Sequence, residues 1–175
     1  MIMTFIIIFY VILFIVRGDN MSFIKAKEQL TKYGLEDRIM EFPVSSATVS
    51  EAAMALHCKE AEIAKTMAFQ LEENPILIVT AGDEKIDNSK FKMEFHTKAK
   101  MVPFSDVETV IGHVAGGVCP FGVLEGVQVY LDESLKRFDF VYPACGSRNS
   151  AVKLTIPELE KSSQYVCWVD VCKGK

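Results

Sequence analysis

A glycine- and proline-rich segment, His113 to Gly122, is the feature of the sequence that most limits how this chain can fold. Gly116, Gly117, Pro120 and Gly122 all fall within seven residues. Glycine tolerates positive φ and lets a ligand approach bare backbone, whereas proline fixes φ and removes an N–H donor. The segment therefore predicts a rigid, irregular loop whose amides point in definite directions. Such a loop is either a tight connection between two elements or part of a binding site.

Two further segments place charged or polar side chains beside unusual backbone. Lys65 opens the strongly apolar run Ala64–Phe69, and Ser147 and Arg148 follow Gly146 at a predicted turn. A lysine at the entry of an apolar strand either extends to water or acts as a point charge and donor for phosphate or hydroxyl oxygens. The planar guanidinium group of Arg148 could pair with a phosphate. These residue types favour a ligand that carries phosphate or hydroxyl groups.

The composition indicates one globular domain. The chain has 175 residues, of which 50% are hydrophobic, and a net charge of −4 at pH 7. This length is enough for a single core, and this hydrophobicity excludes disorder over most of the chain. The negative charge argues against binding dominated by electrostatic attraction to nucleic acid, and we expect no DNA partner. A local lysine cluster forms either a weak phosphate-binding patch or a mixed-charge surface: Lys85, Lys90, Lys92, Lys98 and Lys100.

The cysteines and histidines do not form a recognisable metal or disulfide pattern. The five cysteines are odd in number and lack CxxC spacing, and no HExxH motif is present. This pattern argues against a disulfide framework and against structural zinc. We therefore expect reduced thiols in a cytosolic protein, with no metal and no cofactor.

The first 20 residues form a hydrophobic N-terminal extension. Residues 2–16 are almost entirely apolar, and Met21 then begins a sequence typical of a domain start. The apolar run is short for a membrane span and lacks the basic region and cleavage site of a secretory signal. A start codon assigned too early, a membrane anchor and an atypical signal are the three open interpretations. We expect the protein to associate with a membrane only if residues 1–20 are translated. The domain itself is expected to span residues 21–175.

Periodicity predicts a mixture of helices and strands. Thr48 and Glu51 form a capping-box pattern before a helix, and other helices are predicted to begin near Ser22, Asn88, Ser105 and Thr155. Strands are predicted around Met67–Leu71, Ile76–Val79, Val127–Leu131, Phe138–Phe140 and Tyr165–Val171. Because there is no regular βαβ rhythm, the pattern favours a single α+β domain with a mixed sheet.

Three segments, in this order and at these separations, resemble the YbaK/EbsC family of aminoacyl-tRNA deacylases. They are the run at Lys65, the Gly-x-x-x-Pro loop from Gly116 to Pro120, and the stretch that ends in Leu154–Leu159. The family is related to the editing domain of bacterial prolyl-tRNA synthetases. The resemblance covers residues 21–173 and implies a curved, largely antiparallel sheet flanked by helices, with the active cleft on one side.

The resemblance also implies a set of site residues. The expected catalytic residues are Lys65, Gly116, Gly117 and Pro120. The expected substrate-binding residues are His113, Phe121, Gly122, Ser147 and Arg148. The loop amides could hold the oxyanion that forms in ester hydrolysis, a water molecule or a ribose hydroxyl. The turn after Gly146 is less glycine-rich than in the family. From the sequence alone, a polar residue at a helix end is the favoured interpretation of His113.

The resemblance implies a hydrolase that removes a wrong amino acid from tRNA in trans. The expected substrate is tRNA-Pro that carries a small non-cognate amino acid, and prolyl-tRNA synthetase is a candidate partner. Two alternatives stay open at this point. One is a non-catalytic tRNA- or partner-binding module of the same fold, and the other is a membrane-anchored protein held by residues 2–16.

Overall fold

The computed structural model describes residues 21–72 and 74–174. The predictions for the N-terminal extension, residues 1–20, lie outside the described residues. Within the described ranges, no helix combines the length and the apolar character needed to cross a membrane.

The described part of the chain contains short helices and strands in irregular alternation. The α-helices are α1 (residues 21–31), α2 (Val49–Leu56), α3 (Asn88–Phe95), α4 (Val107–Ile111) and α5 (Ile156–Ser163). The strands are β1 (Ile39–Glu41), β2 (Ile63–Gln70), β3 (Pro75–Ala81), β4 (Glu84–Ile86), β5 (Gln128–Asp132), β6 (Phe140–Pro143), β7 (Ser150–Val152), β8 (Leu154–Thr155), β9 (Trp168–Val169) and β10 (Cys172–Gly174).

A curled six-stranded sheet in the order β8-β6-β2-β3-β5-β9 forms the centre of the domain. Its longest ladder, between β2 and β3, is antiparallel. The pairings β2–β6, β3–β5 and β5–β9 are parallel, and β6–β8 is antiparallel. Two small antiparallel sheets, β1–β7 and β4–β10, lie beside it. The α+β fold with a mixed sheet, predicted from the sequence, is confirmed.

Strand β3 occupies the middle of the sheet because both of its faces are apolar. Ile76, Leu77, Ile78 and Val79 are fully buried. Successive side chains of a strand point to opposite faces. Leu77 and Val79 accordingly pack into the larger core cluster, and Ile76 and Ile78 pack into a second cluster with Phe91. Helices and loops therefore cover the sheet on both sides, as a continuous apolar run predicts.

The edge of β2 is open where the candidate site lies. Strand β6 pairs with β2 only at Ile63 and Ala64, and the next contact on that side is the bridge between Phe69 and Met101. Within the described residues, Lys65, Thr66 and Met67 thus have no strand partner on this edge. Main-chain groups that would otherwise be paired in a ladder face the space beside the sheet.

Helix α1 packs across the two glycine-containing loops. Its buried residues Ala26 and Leu30 belong to the larger core cluster. A Cβ atom at Gly122 would lie 2.5 Å from the Lys25 carbonyl carbon, and one at Gly146 would overlap the main chain of Ser22. Both loops can approach the helix this closely only because these positions are glycine. Helix α1 thereby fixes the loops that surround the site.

Candidate functional site

A pocket of about 180 Å³ lies between the start of α2, the open edge of β2 and the glycine-rich loop. The segments that form it come from four regions of the chain, which the sheet and α1 bring together. Its lining residues are Ser46, Ala47, Thr48, Val49, Ala52, Ile63, Ala64, Lys65, Thr66, Gly116, Val118, Tyr142, Ala144, Ser150 and Ala151.

The wall of the pocket is made largely of small side chains. Five alanines contribute to it: Ala47, Ala52, Ala64, Ala144 and Ala151. Alanine has no side-chain conformational freedom to lose, so a wall built from it keeps its shape when a ligand enters. With a volume of about 180 Å³, the pocket has the size for a small group.

Lys65 carries the only charge among the described residues that line the pocket. Its position at the entry of β2 is the one that the sequence predicted. The ammonium group Nζ donates to the main-chain carbonyl of Glu84 at 2.6 Å, which draws the side chain across the edge of the sheet. A pocket whose single charge is positive favours anionic or electron-rich groups.

The start of α2 forms the opposite wall and is rigidly capped. Thr48 Oγ1 accepts from the Glu51 N–H at 3.2 Å, and the Glu51 carboxylate accepts from the Thr48 N–H at 3.1 Å. The predicted capping box is thus confirmed. The hydroxyl of Ser45 also donates to Glu51, and this hydrogen bond, ahead of the Thr48 N–H, lowers the pKa of the carboxyl group. The cap holds Ser46, Ala47 and Thr48 at the pocket.

The glycine-rich loop contributes fewer amides to the pocket than the sequence suggested. The N–H of Gly117 donates to the Val114 carbonyl at 3.0 Å, and the N–H of Cys119 donates to His113 Nδ1 at 3.2 Å. Both donors are therefore used inside the loop. Gly116, at φ +91°, and Val118 are the loop residues that line the pocket. An oxyanion donor from this loop would have to come from one of these two.

The remaining loop residues nominated from the sequence lie on the core side of the loop, among the described residues that do not line the pocket. Pro120 and Phe121 are buried, and Gly122 donates its N–H to Gln29 Oε1 at 2.8 Å. A Cβ atom at Gly117 would lie 2.9 Å from the main chain of Ser147. These residues shape the loop and attach it to its neighbours.

His113 is fully buried and accepts a hydrogen bond from within the glycine-rich loop. Nδ1 accepts from Cys119, so the proton is assigned to Nε2, which has no hydrogen-bond partner among the described residues. Burial, more than any other cause, lowers the pKa of the imidazole to about 4. His113 is accordingly neutral at physiological pH and is separated from the pocket by the loop that it supports.

Ser147 and Arg148 do not line the pocket, but they form hydrogen bonds to segments that do. The Ser147 hydroxyl donates to Ser150 Oγ at 2.6 Å, and Ser150 lines the pocket. Arg148 donates from Nε to the Ala115 carbonyl at 3.0 Å, and its own carbonyl accepts from the Ser46 N–H at 2.7 Å. Arg148 therefore ties the glycine-rich loop to the segment before α2.

Several pocket residues were not nominated from the sequence. Thr66 is the most informative, because its Oγ1 is buried without a hydrogen-bond partner among the described residues. Its position directly after Lys65 was the only available signal. Tyr142 reaches the pocket through the pairing of β6 with β2, and an isolated bridge joins Ala144 to Ala151, contacts that short strands do not reveal in a sequence.

The described residues offer no group of three or more His, Cys, Asp or Glu side chains that could hold a metal ion. Two cysteines lie near the loops, Cys119 and Cys145, and both are buried and free. Burial raises the pKa of Cys145 to about 12 and raises that of Cys119 as well. Both therefore stay thiols at neutral pH, and a thiol is a poor nucleophile.

Comparison with known proteins shows which family shares this arrangement. The family model of the aminoacyl-tRNA editing domain matches residues 44–162, a range that contains the whole pocket lining. The chain belongs to the aminoacyl-tRNA editing domain family. Its fold is that of an editing domain, and the pocket lies within the matched segment.

Three relatives illustrate the range of the family. The uncharacterized protein YwhH of Bacillus subtilis is 47% identical over 154 residues, which are 87% of this chain and 98% of YwhH. The proline–tRNA ligase of Streptococcus suis is 23% identical over 80% of this chain but only 22% of the ligase. A crystal structure of a protein proposed to be a trans-editing enzyme for prolyl-tRNA synthetase superposes with a TM-score of 0.78. It is 25% identical and covers 87% of this chain and 98% of that protein.

Proposed function

We propose that this protein hydrolyses the ester of mischarged aminoacyl-tRNA in trans, and that its substrate is tRNA-Pro carrying a small non-cognate amino acid. The observation that carries the proposal is the alanine-walled pocket with a single lysine, inside the segment that matches the editing-domain family. The likeness to a proposed trans-editing enzyme and to proline–tRNA ligases supports tRNA-Pro over other tRNAs. Such a protein would work in the cytoplasm, alongside prolyl-tRNA synthetase.

The proposed mechanism relies on main-chain groups and on the substrate. The aminoacyl group enters the pocket, and Lys65 donates to an oxygen of the terminal ribose or its phosphate. A water molecule attacks the ester carbon, and negative charge develops on the carbonyl oxygen. Main-chain N–H groups of Gly116 or Val118, held in place before the reaction, stabilise that charge. The bond between the ester carbon and the ribose oxygen then breaks, which releases the free amino acid and a ribose oxygen that takes up the proton lost by the water.

The proton of the attacking water needs an acceptor. The described residues of the pocket lining include neither a carboxylate nor an imidazole. The amino group and the vicinal ribose hydroxyl of the substrate lie next to the ester bond and are the remaining acceptors. The substrate therefore accepts the proton, and the protein positions the reacting groups. The residues that hold the site in place are Gly117, Pro120, His113, Phe121, Gly122, Ser147 and Arg148.

Size exclusion would give the selectivity. One methylene in an apolar pocket changes specificity by only about 10- to 200-fold, so a synthetase cannot fully reject amino acids similar to or smaller than its own by binding alone. We propose that the limited volume of the pocket, about 180 Å³, fits a small side chain better than a larger one. We expect alanine esters to be cleaved faster than proline esters.

The direct test is a deacylation assay with the full chain. tRNA-Pro charged separately with alanine, cysteine, serine or proline is the substrate, and Lys65→Ala is the test variant. We expect the variant to lose on the order of 100-fold in turnover, the usual effect of losing one site donor. The matched control is Lys92→Ala, which removes an exposed lysine away from the pocket.

The outcomes separate the enzyme from the alternative. Wild-type turnover in a folded Lys65→Ala variant would show that Lys65 has no catalytic role. Binding of tRNA-Pro without hydrolysis of any ester would instead identify a non-catalytic tRNA-binding module.

A further inference from the structure

A second pocket, of about 280 Å³, adjoins the first and shares Lys65 with it. It lies between β2, β4, the first residue of α3 and the segment that pairs with β2 near Met101. Its lining residues are Lys65, Met67, Phe69, Lys85, Ile86, Asn88, Ala99 and Met101. We refer to it as the β4 pocket.

Lys65 forms the partition between the two pockets. Alternate residues of a strand share one face, so Lys65 heads the row that continues with Met67 and Phe69 into the β4 pocket. Its ammonium group is bound to the carbonyl of Glu84, the residue before Lys85. A molecule that filled both pockets would therefore pass directly over the Lys65 side chain.

The β4 pocket combines an apolar surface with polar groups at its rim. Met67, Ile86 and Met101 supply the apolar surface, and Met101 is 58% exposed. Lys85 is exposed and forms no ion pair with any described residue. Asn88 is exposed as well and offers an amide that can both donate and accept.

The charges around the β4 pocket favour an anion. No carboxylate side chain belongs to its lining among the described residues. The nearby acids already have partners: Arg137 pairs with both Asp83 and Glu84, and Asp87 caps α3 and lies 3.8 Å from Lys173. The electrostatic potential near Lys65 and Lys85 is therefore positive and favours a phosphate group.

Single-stranded nucleic acid binds where cations meet the backbone phosphates and a neighbouring surface packs against the bases, most often an aromatic one. In the β4 pocket the polarizable thioethers of methionine would provide that surface, and Lys85 would meet the phosphate. A purely apolar ligand would not use Lys85 or Asn88, and a free phosphate would not use the methionines. Both kinds of contact occur together in one nucleotide.

We propose that the β4 pocket binds the terminal nucleoside at the single-stranded 3′ end of tRNA, an inference that rests on the proposed function. The base packs on Met67 and Met101, Asn88 contacts the base edge, and Lys85 meets the phosphate. The ester bond then lies above Lys65, and the amino acid enters the alanine-walled pocket. The two pockets thus receive the two ends of one aminoacyl-nucleoside.

The test uses Met101→Glu and Lys85→Glu in the full chain. The matched controls are Met93→Glu and Lys92→Glu, which make the same changes at exposed positions of α3 outside the β4 pocket. Because all four side chains are exposed, the thermal unfolding midpoints should stay close to that of the wild type. Two quantities are measured: the KM and kcat for alanyl-tRNA-Pro, and the affinity for a fluorescent CCA trinucleotide.

We expect each test variant to raise KM and weaken trinucleotide binding by at least about tenfold, with a smaller effect on kcat, since each places a negative charge next to an anionic ligand. Lys85→Glu should also reduce the salt dependence of binding, by about 0.7 in the slope of log K against log salt. The control variants should behave like the wild type.

The outcomes distinguish this proposal from the deacylase proposal. Unchanged KM and unchanged trinucleotide binding in both test variants of an active deacylase would overturn the β4 pocket as a nucleoside site and leave the function intact. A wild type that hydrolyses no ester, but binds the trinucleotide through Lys85 and Met101, would overturn the deacylase proposal and support the nucleoside site.

Discussion

His113 shows how a buried side chain ties the stability of the site loop to pH. The imidazole is fully buried, and its pKa falls from the ordinary 6.5 to about 4. In the unfolded chain the group is protonated below about pH 6.5, whereas in the folded protein it stays neutral down to about pH 4. The unfolded state therefore binds more protons within this window, and the stabilisation present above pH 6.5 is lost as the pH falls.

We predict that the free energy of unfolding falls by about 3 kcal/mol more between pH 7.5 and 4 in the wild type than in His113→Gln. Urea unfolding at a series of pH values measures it. The variant will be less stable at pH 7.5, because Cys119 loses its acceptor, but its pH profile should be flatter. Parallel profiles would show that His113 is not the group that titrates.

The residues nominated from the sequence and from the family resemblance fall into two groups in the structure. Lys65 and Gly116 were nominated from the sequence, and both line the pocket. His113 and Phe121 were nominated because they adjoin the same glycines, yet they face the core. Neighbouring positions in a loop point in different directions, and only the packed structure fixes which direction faces a ligand.

At the scale of single elements, the two capping boxes form a natural matched pair. Thr48 caps α2 beside the pocket, and Thr155 caps α5, away from the pocket lining, in the same way. Replacing either with alanine removes one side-chain acceptor from a helix N-terminus. Such a change costs about 1 kcal/mol of stability.

We predict that Thr48→Ala and Thr155→Ala lose similar stability, but that only Thr48→Ala lowers deacylation of alanyl-tRNA-Pro by more than about fivefold. The reason is that the capped N-terminus of α2 fixes the preceding residues Ser46, Ala47 and Thr48 in the pocket wall. A displacement of about 1 Å there can lower the reaction rate by up to about 100-fold. Unfolding midpoints and turnover of both variants give the comparison. Equal losses of activity would mean that the capped wall does not position the substrate.

Elements with their own sequence signals were predictable, and those that depend on distant partners were not. The capping-box helices and the buried strand β3 appear close to the expected positions. The final strand was predicted over Tyr165–Val171, but only Trp168–Val169 is strand there, and β10 follows at Cys172–Gly174. Strands of two or three residues, such as β1, β7 and β8, are too short to show periodicity.

At the scale of the whole molecule, helix α1 connects loops that are far apart in the chain. Gly122 and Gly146 both lie against its main chain, and the Ser22 hydroxyl donates to the Gly146 carbonyl. A side chain at Gly146 would combine a strained positive φ with overlap against Ser22. Gly34 has a similar φ of +67°, but a Cβ atom there would meet nothing within 4 Å.

We predict that Gly34→Ala costs about 1 kcal/mol, from backbone strain alone, and that Gly146→Ala costs at least about 2 kcal/mol more. Chemical denaturation of the two variants measures the difference. Equal losses would show that α1 can move away without penalty and that the loops do not depend on it.

The alanine wall has a consequence for how the protein can change over time. None of the five alanine side chains can make a hydrogen bond. Replacing one with a larger apolar residue, or with glycine, therefore changes the volume of the cavity without removing a polar contact. Under the proposed function, single substitutions would therefore shift which amino acid fits while Lys65, the glycine loop and the helix caps stay unchanged. The side chains that set the size of the pocket are thus different from those proposed to position the substrate.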